Sequence, residues 1–161
     1  MTDAPPLEPI DPNYDFATDP DGVTAADVDV NDVQLHALLD FQFGVDQEDS
    51  ASELGLTLLI NGALVTGRAI PYGRWLREYY AQLRMASQKL AEGIEAVFTD
   101  VNAEGKAIRD RRDTENRPNV AIKHIHMRDV IVRTGNVTLN VPLWRAELEH
   151  VDGWSLGAAS V

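Results

Sequence analysis

Cysteine is absent from the 161-residue chain. That excludes disulfide staples, thiol nucleophiles, iron–sulfur clusters and cysteine zinc sites. Basic residues are missing from a whole stretch: residues 1–67 hold 14 Asp and Glu and neither Lys nor Arg. Residues 68–161 carry 14 basic and 12 acidic side chains, so the whole chain has a net charge of −12. Neutralising the phosphates of a nucleic acid needs a basic patch, and this balance argues against such a partner. No apolar run approaches the roughly 18 residues of a membrane span. The first residues show neither the positive n-region nor the apolar h-region of a secretory signal. The expectation is a soluble, cytoplasmic protein with no membrane partner. Hydrophobic residues make up 44% of the chain, enough for a real core.

Pro5, Pro6, Pro9, Pro12 and Pro20 lie among scattered aspartates. Proline blocks helix and ladder hydrogen bonding, and like charges repel. Residues 1–23 therefore read as a disordered, acidic, Pro-rich arm, and residues 24–161 as a single α+β domain.

A helix is predicted to start between Thr24 and Asn31 and to end near Phe43. Thr24, Asn31 and Asp32 are N-cap types, and Val30, Val33, Ala37, Leu38 and Phe41 recur at helical spacing. Gly44 is a natural stop. The acidic residues 46–53 read as a linker. Leu54 to Ile60 and Ala63 to Ile70 flank Asn61-Gly62. An Asn-Gly pair between two apolar runs favours a type I′ hairpin, because both central residues need positive φ. Gly67 within the second strand suggests a bend or bulge.

A long helix follows over roughly residues 72–98. Its stripe of Leu76, Tyr80, Leu83, Leu90, Ile94 and Val97 is interrupted at Ser87. A charged insertion near 102–119 is either a helix extension or a loop. Strands are expected over 120–127 and 130–133, separated by Arg128-Asp129. Val137 to Leu139 follows a turn at 134–136. Leu143 to Val151 alternates, placing Trp144, Ala146 and Leu148 on one face, with at least Trp144 and Leu148 expected in the core. Asp152-Gly153 reads as a second hairpin turn leading into Trp154. The order is an N-terminal helix, a β-hairpin, a long helix, then a strongly bent antiparallel sheet that stays open or closes into a small Sm-like β-barrel.

Few residues point to chemistry. His124 and His126 are two apart, so on a strand both imidazoles face one side and are the candidate metal ligands. No metal or other cofactor is expected, because no H-E-x-x-H or comparable spacing supplies further ligands. Neither a phosphate-cradling glycine loop nor a nucleophile elbow is present. The expectation is no catalytic residue and no enzyme.

Four blocks together resemble the gas vesicle accessory protein U family. They are Leu58 to Gly67, which holds Asn61, Gly62 and Gly67; the long helix after it; His124 to Val130; and Leu143 to Gly157. The last is the most specific, with Trp144-Arg145 followed by Val151-Asp152-Gly153-Trp154 and then Leu156-Gly157. The resemblance spans roughly residues 32–160. It implies a non-catalytic accessory factor in the assembly or clustering of gas vesicles, the gas-filled protein shells that give buoyancy. Its signature residues are implied to be mainly structural. A second resemblance concerns fold alone. The Asn61-Gly62 hairpin and the strand at His126 to Ile131 are similar to the two Sm motifs, with Arg128-Asp129 where Arg-Gly stands in that family. It implies, as the alternative function, a module for single-stranded RNA. The unpaired edges of an open sheet, the apolar helix stripe, and the opposition of the acidic first 67 residues to Arg109, Arg111, Arg112 and Arg117 lead to the expectation of a homo-oligomer. A dimer is favoured over a ring, with gas vesicle proteins as further partners.

Overall fold

The computed structural model describes residues 13–44 and 50–157. Residues 1–12 of the expected arm and 45–49 of the expected linker lie outside them. The described residues fall into two compact units: those up to residue 29 with 97–121, and those from residue 30 to 96 with those from 122 on.

The second unit is built on a five-stranded antiparallel sheet in the order β4-β3-β2-β1-β5. Its strands are β1 (Leu54–Ile60), β2 (Ala63–Ala69), β3 (His124–Thr134), β4 (Val137–Glu147) and β5 (Val151–Leu156). The Asn61-Gly62 turn has φ of 49° and 78°, the two positive values a type I′ hairpin needs. The sheet is not a closed barrel, since β4 and β5 are its two edges and no ladder joins them. It is nonetheless strongly bent. In a flat sheet with strands about 4.8 Å apart, the edges would stand about 19 Å from each other. The chain crosses from Glu147 to Val151 through a single 3-10 turn, Leu148–His150. Four residues reach at most about 14 Å even when fully extended, so the sheet must curl.

Two irregularities supply the curl. Thr66 pairs with Ile131 and Arg68 with Arg128, so Gly67 alone opposes Asp129 and Val130. Asp129 takes φ of 50°, as a bulged residue in the left-handed region does. The extra residue reverses the side-chain phase. Ile125 and Met127 face the core before it, and Val130 and Val132 after it. The sequence reading saw Arg128-Asp129 as a break between strands, and it is a bulge within one. The second irregularity is at Asp152. Gly153 pairs with Leu59 and Val151 with Ile60, leaving Asp152 over. Asp152-Gly153 is therefore not a hairpin turn. It lies inside β5, and the 3-10 turn makes the reversal instead.

Helix α1 (Ala25–Val28) belongs to the first unit and α2 (Val33–Phe43) to the second. Asp32 caps α2 by accepting from the Leu35 amide at 2.9 Å, and Gly44 ends it with φ of 77°. Leu35 and Leu39 are the α2 residues buried against Leu56, Leu58, Val65, Ile125 and Met127 of the sheet. Of the expected stripe, Leu38 packs against the core, whereas Val33, Ala37 and Phe41 face away from it. Leu148 is core, whereas Trp144 is half-buried at its border.

The expected long helix is two helices, α3 (Tyr72–Ala86) and α4 (Gln88–Thr114). Ser87, at φ −161° and ψ 114°, is extended and breaks the ladder between them. The charged insertion is helical through Thr114, and β3 begins at His124 rather than Val120.

In the first unit the segment from Tyr14 to Val23, expected as disordered arm, is held by charge. Arg112 of α4 is fully buried and donates to Asp19 at 2.9 Å, to Asp21 at 3.0 Å and to the Pro118 carbonyl at 2.8 Å. Arg117 reaches Asp21 at 2.7 Å, Arg111 also pairs with Asp21, and the Tyr14 hydroxyl donates to Asp19. Burial raises the Asp19 carboxyl. The hydrogen bonds from Tyr14, Arg112 and the Asp21 and Val23 amides outweigh burial and hold it well below the usual carboxylate range. Three of the arginines expected to bind the acidic segment of another copy are thus already bound to their own.

A side chain at Gly67 would place its Cβ 2.9 Å from the Arg128 carbonyl oxygen and 2.9 Å from Val130 Cγ2. Gly67→Ala is expected to cost about 2–3 kcal/mol in chemical denaturation, because backbone must move. Gly62→Ala, with open space around it, is expected to cost only the left-handed strain, about 1–2 kcal/mol. Equal costs would count against the bulge as the tighter point.

Replacing Arg112 by Leu would leave the buried Asp19 carboxylate without its arginine and take one of three from Asp21. Hydrogen exchange should then lose protection at residues 13–23 and 108–118. Unchanged protection there would remove the ion cluster as the clamp.

Candidate functional site

The signature residues collect at two places in the sheet. At one end, the β1–β2 turn is tied to β5. The Asn61 amide donates to Asp152 Oδ2 at 2.8 Å, so the bulged aspartate holds the tip of the hairpin. Trp154 pairs across from Leu58, and its indole donates to Asp32 Oδ2 at 2.7 Å. The Gly157 amide donates to the Gly55 carbonyl at 2.9 Å, and its own carbonyl accepts from Thr57 Oγ1 at 3.0 Å. Gly157 takes φ of 97°, which lets the chain turn off the edge. Asn61, Asp152, Trp154 and Gly157 thus form a seam that fastens β5 to β1 and α2. Gly62 and Gly153 serve the same seam through the turn and the ladder.

The second place is the end of β3 and β4. His126 pairs with Arg145 and His124 with Glu147. These side chains share one sheet face, opposite the face that carries Met127 and Trp144. A cleft of about 320 Å³ is lined by Ile60, Asn61, His124, Arg145, Glu147 and His150. It brings Asn61, Arg145 and His124 together, as the four sequence blocks do not on their own suggest. Its lining carries charges of both signs. Glu147 lies 3.3 Å from His150 Nδ1 and 3.9 Å from His124 Nε2. Burial lowers the His124 imidazole, Arg145 adds to the effect, and Glu147 opposes it.

His126 behaves differently from His124. It is 6% exposed and lies under helix α3, with its ring 5.0 Å from Tyr72 and 5.1 Å from Trp75. Neither ring nitrogen has a hydrogen-bond partner, and the Trp75 indole nitrogen beside it is likewise buried without one. Burial is the main reason its imidazole is held down to about 3, with Arg145 and His124 adding charge repulsion. The ring is therefore a neutral packing element. The two candidate ligands, His124 and His126, have ring centres 6.5 Å apart, and His126 is covered by Tyr72 and Trp75. Among the described residues, the side chains close enough to share a cation are the exposed Glu147, Glu149 and His150. Sequence reasoning missed Tyr72 and Trp75 as the cover of His126. The signal was their spacing of three just after β2, which sets both on one helix face.

Among the described residues no helix is long and apolar enough to cross a membrane. Comparison with family models places this α+β chain among gas vesicle-related proteins. The match is to the family described as gas vesicle protein GvpU-like, over residues 36–159, and the chain belongs to that family. No curated protein and no solved structure matches. The RNA-binding alternative gains no support from these comparisons, and the closed barrel it rested on is an open sheet.

His126 also makes a titration prediction. Its folded value lies below the ordinary 6.5, so the stabilisation is complete above pH 6.5 and is lost as pH falls from there toward about 3. The stability of wild type relative to His126→Leu should drop by up to about 1.4 kcal/mol per pH unit in that window. Urea midpoints measured from neutral to mildly acid pH give the difference. Parallel curves for the two proteins would mean the ring is not sealed when neutral.

Proposed function

We propose that this GvpU-like protein is a non-catalytic accessory factor of gas vesicles, acting in the cytoplasm on other gas vesicle proteins and on further copies of itself. The observation that carries the reading is the open sheet within the family-matched segment. Edge strands present unpaired N–H and C=O groups and template pairing with another chain. The two edges differ. Strand β4 carries Pro142, Arg145 and Glu147, the kinds of residue that blunt an edge. Strand β5, Val-Asp-Gly-Trp-Ser-Leu, contains no Lys, Arg or Pro and leaves Leu156 exposed. Pairing of β5 with its symmetric copy gives an isologous, closed dimer rather than a ring. The charge asymmetry supports this choice, because Arg111, Arg112 and Arg117 are occupied within the chain and offer little to a second copy.

Light scattering should show a dimer whose size does not change between about 0.05 and 0.5 M salt, since a backbone ladder is not screened as surface charges are. Leu156→Lys should shift it toward monomer. A monomer in wild type at every salt concentration would overturn the self-association. Purified protein mixed with buoyant gas vesicles should rise with them on flotation. Its complete retention in the infranatant would overturn the accessory role.

A further inference from the structure

Helix α2 is apolar on the side that should be wet. Along it, Leu35 and Leu39 are buried, with 0% and 1% of their surface exposed, and Val33 and Phe41 are 67% and 89% exposed. Ala37, exposed as well, lies between them. Positions 33, 37 and 41 fall on consecutive turns and make one continuous stripe. An ordinary surface helix carries polar residues there.

The surroundings of the stripe select what can cover it. The charged side chains of α2 and its cap are the carboxylates Asp32 and Asp40, and the sequence between residues 24 and 53 holds no Lys or Arg. Two copies of this face brought together would oppose those carboxylates with one another, and like charges resist that. One carboxylate adjoins the stripe on α2 itself. Asp40 has one oxygen buried with no hydrogen-bond partner. Burial raises its carboxyl, and His36 one turn earlier only partly opposes this. A cation arriving at the rim of the stripe would add to the partial compensation that His36 gives.

We propose that the outward face of α2 docks a basic amphipathic helix of a partner protein, with Phe41 seated in the partner's apolar face and Lys or Arg flanking it. The proposal rests on the accessory reading above and names the chemistry of its partner. Helix-on-helix recognition by anchors one turn apart is a common mode, and a few buried aromatic anchors carry most of its energy.

The test uses full-length protein and a synthetic labelled helix with a leucine face and lysine flanks, read by fluorescence anisotropy. Three controls accompany it: a scrambled peptide of the same composition, a peptide with Glu for Lys, and the variant Phe41→Asp. Phe41 is exposed, so circular dichroism should be unchanged in the variant. Docking predicts saturable binding, weaker by roughly tenfold or more for each peptide control and for Phe41→Asp, a loss of about 1.4 kcal/mol. The variant adds negative charge, so attraction by charge alone would make it bind the cationic peptide as well or better, and that result overturns the proposal. A wild-type dimer that Phe41→Asp converts to monomer would assign the face to a second copy and overturn it too. Flotation separates the two readings. A Phe41→Asp protein that binds peptide normally but still rises with vesicles sinks the helix docking and leaves the accessory role standing.

Discussion

The passage from β4 to β5 in a single 3-10 turn constrains the whole second unit. Two edge strands cannot be joined by so short a connection unless the sheet between them curls, and a twisted sheet curls where a strand gains a residue. The bulge at Asp129 is possible because Gly67 opposes it without a side chain, leaving room for the Arg128 carbonyl and for Val130. The same extra residue turns Val130 and Val132 inward, so curvature and core composition are one adjustment. Strand β4 follows in continuous register, with Pro142 across from Asp129, where an edge strand can spare the donor that proline lacks. The curled sheet then needs one helix to cover its apolar face, and Leu35 and Leu39 of α2 provide that cover.

The charge distribution has a different logic in each unit. In the first, carboxylates that look unpaired in a Lys- and Arg-free stretch are matched by arginines about 90 residues further on. Asp19 and Asp21 are thus counter-ions within the chain, and the net charge of residues 13–23 is a poor guide to what that segment binds. In the second unit Glu53 is paired with Arg68 and Arg74, whereas Asp40 of α2 keeps one buried oxygen without a hydrogen-bond partner. Asp40 adjoins the apolar stripe, so one incompletely compensated carboxylate and the apolar face coincide.

Local signals were legible in the sequence. Asn61-Gly62 between apolar runs fixed the hairpin, Gly67 marked the irregular ladder, and Asp32 and Gly44 bounded α2, because each of these depends on its own backbone conformation. What was not legible depended on distant residues. The bulge at Asp129 looked like a loop because a phase change in apolar spacing is ambiguous until the partner strand is known. Asp152-Gly153 carried hairpin chemistry, but Asp152 answers to the Asn61 amide, 91 positions away. The inner face of α2 could not be assigned because the helix carries apolar residues on opposite sides, Leu35 and Leu39 on one and Val33, Ala37 and Phe41 on the other, and periodicity then gives no direction. For the candidate site, His124 and Arg145 were found by pattern. The sealing of His126 was not, since it depends on where α3 lies.

One residue connects the two surfaces proposed as contact sites. Asp32 accepts the Leu35 amide with one oxygen, capping α2, and the Trp154 indole with the other. Trp154 lies in β5, the edge strand proposed for self-association, and α2 carries the face proposed for a partner helix. The carboxylate therefore fixes the start of the helix to the edge of the sheet, and it is held in the ionised state by those same two donors. A dimer through β5 would thus present two α2 faces at a separation set by hydrogen bonds rather than by a flexible linker. Rigid spacing matters for a linking protein, because the gain from a second contact depends on the two sites being reachable at once. On the proposed reading, the seam at Asp32 would turn one edge and one helix face into a single two-sided connector.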